Sequence, residues 1–362
     1  MIRSTSTILI TCLLAACGGG GGGGGGNTTS GAGGGSPAVA ADKTSPSVGD
    51  FYTYRMTGYT LTNGTNRYDY LTGYDTDLTT AVADGAATVK TLYGDQYTGW
   101  YDLSATLNGF YTGGTSAYCT NTYTAGAYGP PAKLALNVSW DNSTSLKIDC
   151  GGGQRVQNFK LASKGSVIAI ENITVAAGSF QAYKSTATVR EERNSAFPND
   201  PVQPPSIHTS KLTSWIDVDT GVELKRLNEA VSDYGTSVYF ESTSRELVGL
   251  SHSKSARQVL ITERFVGPGW KGSYSGKLSG TCFAKVFEGG GIDASCAEGT
   301  STVTTFTPEG TINNSGQVNF ALPAGSRTAP KFTGQATSLT KMSGTWTDGA
   351  GATGTWELNR EN

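Results

Sequence analysis

Val167-Ile168-Ala169-Ile170, Ile173-Thr174-Val175, Ala176-Ala177-Gly178 and Ser179-Phe180-Gln181-Ala182-Tyr183-Lys184 form the stretch that decides the fold class. Two runs rich in β-branched and aromatic residues flank a short turn ending in glycine, the pattern of an antiparallel hairpin. The return strand continues to Val189. Beyond it, Glu191 to Ser206 reads as a polar loop, because Pro198, Pro201, Pro204 and Pro205 exclude helix and central strand. A second hairpin follows: Ser214-Trp215-Ile216-Asp217-Val218 turns through Asp219-Thr220-Gly221 and returns as Val222-Glu223-Leu224-Lys225-Arg226-Leu227. Tyr239 to Thr243 and Arg257 to Thr262 read as the last strands of this unit, and Gly267-Pro268-Gly269 marks its end. Toward the N-terminus, Phe51 to Met56, Tyr68 to Tyr70 and Thr88 to Tyr93 are short strands separated by Asn63-Gly64, Asp84-Gly85 and Gly94-Asp95. Thirteen of the 17 tyrosines lie between Tyr52 and Tyr128. They fit a sheet whose rings pack while the hydroxyls stay wet, or an aromatic binding face.

The last ninety-odd residues differ. Trp270 to Gly276 opens them, and Ser343-Gly344-Thr345-Trp346 and Thr353-Gly354-Thr355-Trp356 close them. Two Gly-Thr-Trp copies bracketing Asp348-Gly349-Ala350-Gly351 predict a hairpin with aromatics on both strands. Strands rich in Gly, Thr and aromatics suit a small meander or closed barrel.

Two resemblances attach to these segments. Val175-Ala176-Ala177-Gly178-Ser179-Phe180-Gln181-Ala182-Tyr183 resembles the V-P-A-G-x-F-x-A-Y/F hairpin of bacterial periplasmic half-barrel domains of unknown function. The following hairpin of those domains carries a Trp and then G-V/L-x-x-K/R, matched by Trp215 and by Gly221 to Arg226. Ala176 stands where the family has Pro, and Ile216 and Val218 replace its Tyr/Pro pair. The resemblance spans roughly 170–230 and implies an antiparallel sheet. The Gly-Thr-Trp repeat is similar to the small eight-stranded barrels of surface lipoproteins that bind host proteins.

Composition narrows the classes. Net charge is −2, only 15% of the 362 residues are charged and Gly numbers 50. No basic field exists to collect nucleic acid. Six cysteines are present. Setting aside Cys12 and Cys17 leaves Cys119, Cys150, Cys282 and Cys296, an even set that reads as two disulfides in an oxidising compartment. The pairing Cys119–Cys150 and Cys282–Cys296 closes the shortest loops, each worth roughly 3–4 kcal/mol on the loop-entropy model. A four-thiolate metal site is the weaker reading, since no C-x-x-C spacing occurs.

Arg3 followed by the apolar run Ile8 to Ala16 has the length of a signal-peptide core, below the ~20 residues of a membrane-spanning helix. It ends in Leu14-Ala15-Ala16-Cys17, which resembles the lipobox of bacterial lipoproteins. The resemblance implies cleavage after Ala16 and a diacylglyceryl group on Cys17, with two or three chains for stable anchoring. Gly18 in place of Asp implies the outer membrane. From Gly18 to Ser47 runs a glycine-rich tether that cannot pack a core, with a reach of roughly 30 Å.

Catalytic spellings are sparse. The two histidines, His208 and His252, read as exposed loop residues, and no Ser sits in a G-x-S-x-G elbow. Ser251-x-x-Lys254 and Ser338-x-x-Lys341 lack the partners of that motif. Asp217-Val218-Asp219-Thr220-Gly221 departs from a calcium loop and reads as a turn held by Asp side chains. Gly151-Gly152-Gly153 lacks the strand–helix context of a phosphate loop. A pair of carboxylates for glycoside cleavage needs only the right separation in space and stays open.

The chain therefore reads as all-β: a signal peptide (1–16), a lipidated Cys17 and disordered tether (17–47), an antiparallel half-barrel or sandwich (48–266), and a small β-barrel or sandwich (267–362). Its expected role is a lipid-anchored outer-membrane protein, facing the periplasm or the outside, that binds a protein, glycan or apolar ligand through a β surface. No catalytic or metal-binding residue and no cofactor is assigned. A structural envelope protein and a hydrolase with a carboxylate site are the alternatives. Cys17→Ser should leave the chain unprocessed or soluble, as read by fractionation and gel mobility. A mutant still membrane-bound at wild-type mobility contradicts the anchor.

Overall fold

The computed structural model describes residues 46–360 apart from 70–72, 84–85, 94–100, 107–110, 117–118, 124–128, 132–133, 151–154, 197–205, 234–237, 301–305 and 322–329. The prolines of the 191–206 segment lie outside these residues, as do Cys17 and the tether up to residue 45. Fourteen strands form the first sheet: β1 (Phe51–Thr62), β2 (Asn66–Asp69), β3 (Gly73–Ala83), β4 (Ala86–Tyr93), β5 (Tyr101–Thr106), β6 (Tyr111–Ser116), β7 (Cys119–Tyr123), β8 (Ser139–Cys150), β9 (Arg155–Val175), β10 (Gly178–Ala196), β11 (Ser206–Asp217), β12 (Glu223–Asp233), β13 (Val238–His252) and β14 (Arg257–Val259). All pairs are antiparallel. β1 pairs with β2 and β3 along one edge and with β13 along the other, so the two ends of the strand order meet.

The quoted hairpin is β9–β10, with Gly178 paired to Val175 and at φ +126°, a conformation that favours glycine. Both strands are longer than the apolar pattern suggests. β10 continues to Ala196, so Glu191–Ala196 is strand and not the start of the expected loop. Its ladder with β9 runs on to Ala196 and that with β11 to Arg193, and pairing overrides a polar spelling. In β8 the buried positions Trp140, Thr144, Leu146 and Ile148 alternate with exposed ones, the period of a strand with one packed face.

Five strands of this sheet carry a one-residue bulge: Thr80 in β3, Thr112 in β6, Ile168 in β9, Leu224 in β12 and Val248 in β13. The last three fall on nearly one line across the sheet. Bulges bend strands and sharpen twist. Tyr52, Tyr54, Phe180, Leu224, Leu247 and Leu250 pack into one cluster. Elsewhere β8 to β11 enclose Trp140, Val167, Tyr183 and Ile216, and further along Leu146, Phe159 and Leu161.

A short 3₁₀ turn (Thr262–Phe265) leads into the second body. Here β15 (Gly267–Gly276), β16 (Gly280–Val286), β17 (Gly291–Glu298), β18 (Glu309–Ile312), β19 (Gln317–Ala321), β20 (Lys331–Ser338), β21 (Lys341–Thr347) and β22 (Thr353–Arg360) form a closed eight-stranded barrel, shut by the β15–β22 pair. Its interior is filled. Trp270, Trp346 and Phe332 are fully buried, and Phe320 stacks on Phe332 at 4.6 Å between ring centroids. Tyr274 meets Trp346 and Phe332 edge-on at 5.9 and 5.7 Å. Phe51 and Leu92 of the large sheet join this cluster, so the two bodies share packed surface. Arg360, the last residue of β22, donates to the carbonyls of Arg264 and Val266. Cys282 and Cys296 are cross-strand partners joined as a disulfide, their Cα atoms 4.1 Å apart.

The Gly-Thr-Trp repeat has a geometric cause. Gly354 lies opposite Trp346, and the indole passes over it to donate its Nε1–H to the Ser275 carbonyl at 3.0 Å. A Cβ on Gly354 would sit 2.4 Å from that Nε1 and 1.9 Å from the Ser275 oxygen. Trp356 repeats the device, lying opposite Gly344 and donating to the carbonyls of Thr333 and Thr345. Gly354→Ala should therefore destabilise the barrel by roughly 1–3 kcal/mol through overpacking, read as a fall in the denaturant midpoint. An unchanged midpoint would refute the steric account.

Candidate functional site

The most unusual chemistry of the large sheet lies beneath its bulges. Asp75 and Asp77 are two apart on β3 and so share a face. Arg245 of β13 reaches both: its Nη2 donates to Asp77 Oδ2 at 2.8 Å and to Asp75 Oδ2 at 3.4 Å. Arg226 of β12 lies directly opposite Arg245, an unfavourable placement of like charges. Glu223 compensates. The bulge at Leu224 puts two consecutive residues against one partner, which brings Glu223 onto the face of Arg226 three positions on. Glu223 Oε1 then accepts from Arg226 Nη2 at 2.8 Å and from Arg245 Nη1 at 3.5 Å. Arg245 also lies 3.6 Å from the centroid of the Tyr54 ring. Thr91 donates to the other oxygen of Asp77 at 2.8 Å.

All seven groups are buried, with Arg245 3% and Glu223 1% exposed. Burial disfavours charge, and Asp75 is pushed up to about 6, although Arg245 pulls the other way. Burial also raises the Tyr54 phenol. Arg245 behaves differently: desolvation works against its charge, but Asp77 and Asp75 outweigh it and hold the guanidinium above its ordinary value. Beside the cluster, a cavity of about 20 Å³ is bounded by Trp140, Ser163, Ser185, Ser214 and Glu223 among others. Glu223 Oε2 has no hydrogen-bond partner.

Both histidines correct the expectation of exposed loops. His208 lies within β11, half-buried, its Nδ1 2.6 Å from the Ser232 hydroxyl and its Nε2 3.1 Å from that of Ser210. Desolvation lowers its pKa. His252 ends β13 at 1% exposure, and its Nδ1 accepts from the Ser255 N–H at 3.2 Å. Polar sequence neighbours had suggested loops, but strand pairing places both rings inward. The Asp turn is as expected: Asp217 Oδ2 accepts from the Thr220 N–H at 3.2 Å and its hydroxyl at 2.5 Å. Burial raises that carboxyl. Lys341 is held by Glu357 at 2.7 Å and so is engaged away from Ser338. Among the described residues no three His, Cys, Asp or Glu side chains are grouped to hold a metal. Cys119 and Cys150 are direct partners in the β7–β8 register, while their side chains, and with them the expected bridge, lie outside the described residues.

Asp75 and Asp77 are adjacent and buried, and both are bound to Arg245, the geometry of ion pairing rather than of a cleft open to a sugar.

On the barrel exterior, Phe283 is 52% exposed and Phe287, just past β16, is 39% exposed. Lys285 lies between them, with its Nζ 4.8 Å from the Phe287 ring centroid, and Lys271 stands 5.2 Å from that of Phe283. This stripe was not singled out in the sequence. Alternation Phe-Ala-Lys-Val-Phe is its signal, readable once the inward positions are known.

No family model and no curated protein matches the chain. Solved structures do. The hypothetical lipoprotein YmcC from Escherichia coli is 14% identical over 52% of this chain and 85% of that one, with a TM-score of 0.23. The vaccine antigen Transferrin Binding Protein B from Haemophilus parasuis, as a Trp-to-Ala mutant, is 10% identical over 87% of this chain and 76% of that one, with a TM-score of 0.19.

Arg245→Met should cost roughly 3–5 kcal/mol, since it strands buried carboxylates. The denaturant midpoint measures it. Asp75 supplies a pH test. Its folded value near 6 lies above the ordinary 3.8, so between these the folded state binds the extra proton. Its contribution to stability therefore falls as pH rises through that window. Asp75→Asn should remove this component, so that the mutant gains on wild type between pH 4 and about 7. A constant difference across that range would contradict the burial of Asp75.

Proposed function

We propose that the protein is a lipid-anchored envelope lipoprotein that binds a partner protein through the outer surface of its C-terminal barrel. The observation that carries this reading is the contrast between the two faces of the barrel wall. Inside, Trp270, Trp346, Tyr274, Phe320 and Phe332 occupy the space where a hollow barrel would carry an apolar ligand. Outside, Phe283 and Phe287 keep large apolar area in water, flanked by Lys271 and Lys285. Aromatic anchors rimmed by charge are the usual make-up of a contact patch. The lysines favour a partner bearing carboxylates, and steering by them is weakened by salt. The lipobox ending at Cys17 supports attachment to the outer membrane, with the Gly-rich segment giving the barrel reach.

A photo-reactive phenylalanine analogue at position 283 or 287 in cells should give a discrete cross-linked product. Phe283→Ala should weaken the purified interaction roughly tenfold, the scale of a truncated aromatic anchor. No adduct at either position, with an adduct instead from the large sheet, would move the contact surface away from the barrel.

A further inference from the structure

Around β12 the large sheet is turned inside out. Arg226, Asn228, Ala230 and Ser232 alternate along its packed side, with Arg226 and Ala230 buried. The other side carries Leu227, Glu229, Val231 and Asp233, all exposed. Direct register partners share a face, so this side continues across the ladder. Val231 lies opposite Phe240 of β13, and Phe240 lies opposite Leu61 of β1. Asp233 lies between Val238 of β13 and Ile207 of β11. Ile207, Leu227, Val231 and Val238 are between 38% and 46% exposed. The outer face of the neighbouring β8 to β10 differs, holding ion pairs such as Lys164–Asp141 and Lys160–Glu192. An apolar patch on one sector of an otherwise charged wall marks a contact surface. Its polar members are the carboxylates of Glu229 and Asp233, with Lys211 opposite Glu229.

The barrel stripe has the complementary make-up, Phe283 and Phe287 with Lys271 and Lys285. Both patches are exposed in one molecule, so neither covers the other. We propose that the occupant of the sheet patch is the barrel stripe of a second copy of this chain, its aromatic rings against Val231 and Phe240 and its lysines against Glu229 and Asp233. This rests on the reading of the barrel stripe as a protein contact, and names its partner. Apolar side chains meet at the centre, and opposite charges fix the orientation. Two stripes, or two sheet patches, would set like charges against each other, so the contact joins unlike surfaces. Such a contact leaves one stripe and one patch unused at the ends, and the assembly runs on as a row or closes as a ring.

Two experiments test this. In cells, two differently tagged full-length chains are expressed together, with the photo-reactive phenylalanine analogue at position 287 of one. The cross-linked product should carry both tags, with the attachment mapped to β12 or β13. In solution, the mature chain with Cys17→Ser is followed by sedimentation velocity against concentration. It should self-associate, and more weakly as salt rises. Lys285→Glu and Glu229→Lys should each weaken association roughly tenfold. An equimolar mixture of the two should recover it, because each then offers the charge the other lacks. Recovery on mixing also shows that both variants are folded. Val231→Ser removes exposed apolar area without altering charge and should weaken association as well. A product holding only a foreign protein would overturn the second copy as partner and leave the barrel reading standing. Absence of any product at 283 and 287 would overturn both. A chain that stays monomeric at every concentration, or a mixture that behaves as each variant does alone, would overturn the proposal.

Discussion

Arg245 is the constraint around which the large sheet is arranged. It draws together β3, β12 and β13, and through the Tyr54 ring it also touches β1. A guanidinium in this position tolerates few alternatives, because every shift of register would bury it without carboxylates. Apolar packing alone would leave strands of this length free to slip, since a hydrophobic face is satisfied by many registers two residues apart. A buried ion network is poor evidence for added stability. Its value here lies in specifying one alignment of β1, β3, β12 and β13, including the bulge that turns Glu223 inward.

The barrel is organised by the opposite means. It is small, closed and filled with aromatic rings, with a disulfide between two neighbouring strands. Specificity there comes from shape. Each late tryptophan needs a glycine on the next strand to lie across, and a carbonyl beyond it to receive its N–H. Closure removes exposed edges, so the barrel meets the outside through side chains alone.

The shared packing of Phe51 and Leu92 with the barrel core joins these two regimes. β1 thus takes part in the charged network at Tyr54 and in the barrel interface at Phe51.

Much was legible in the chain. Alternation and turn residues marked the β9–β10 and β11–β12 hairpins, the Gly-Thr-Trp copies marked the last hairpin, and loop arithmetic paired Cys282 with Cys296. These are local signals, carried by residues that meet within one or two turns of chain. What stayed hidden depends on distant partners. Glu191–Ala196 is strand because β9 offers a ladder to Ala196 and β11 one to Arg193, and His208 is half-buried and His252 buried because register faces them inward. Asp75, Asp77, Glu223, Arg226 and Arg245 span 170 positions and resemble ordinary solvated charges when read in line. The sequence by itself determined an all-β chain with its hairpins and one disulfide, since short-range pairing rules suffice for those. Only the tertiary structure decided which charges are buried together and which aromatics face water, because burial is set by the neighbours a strand acquires and not by its own composition.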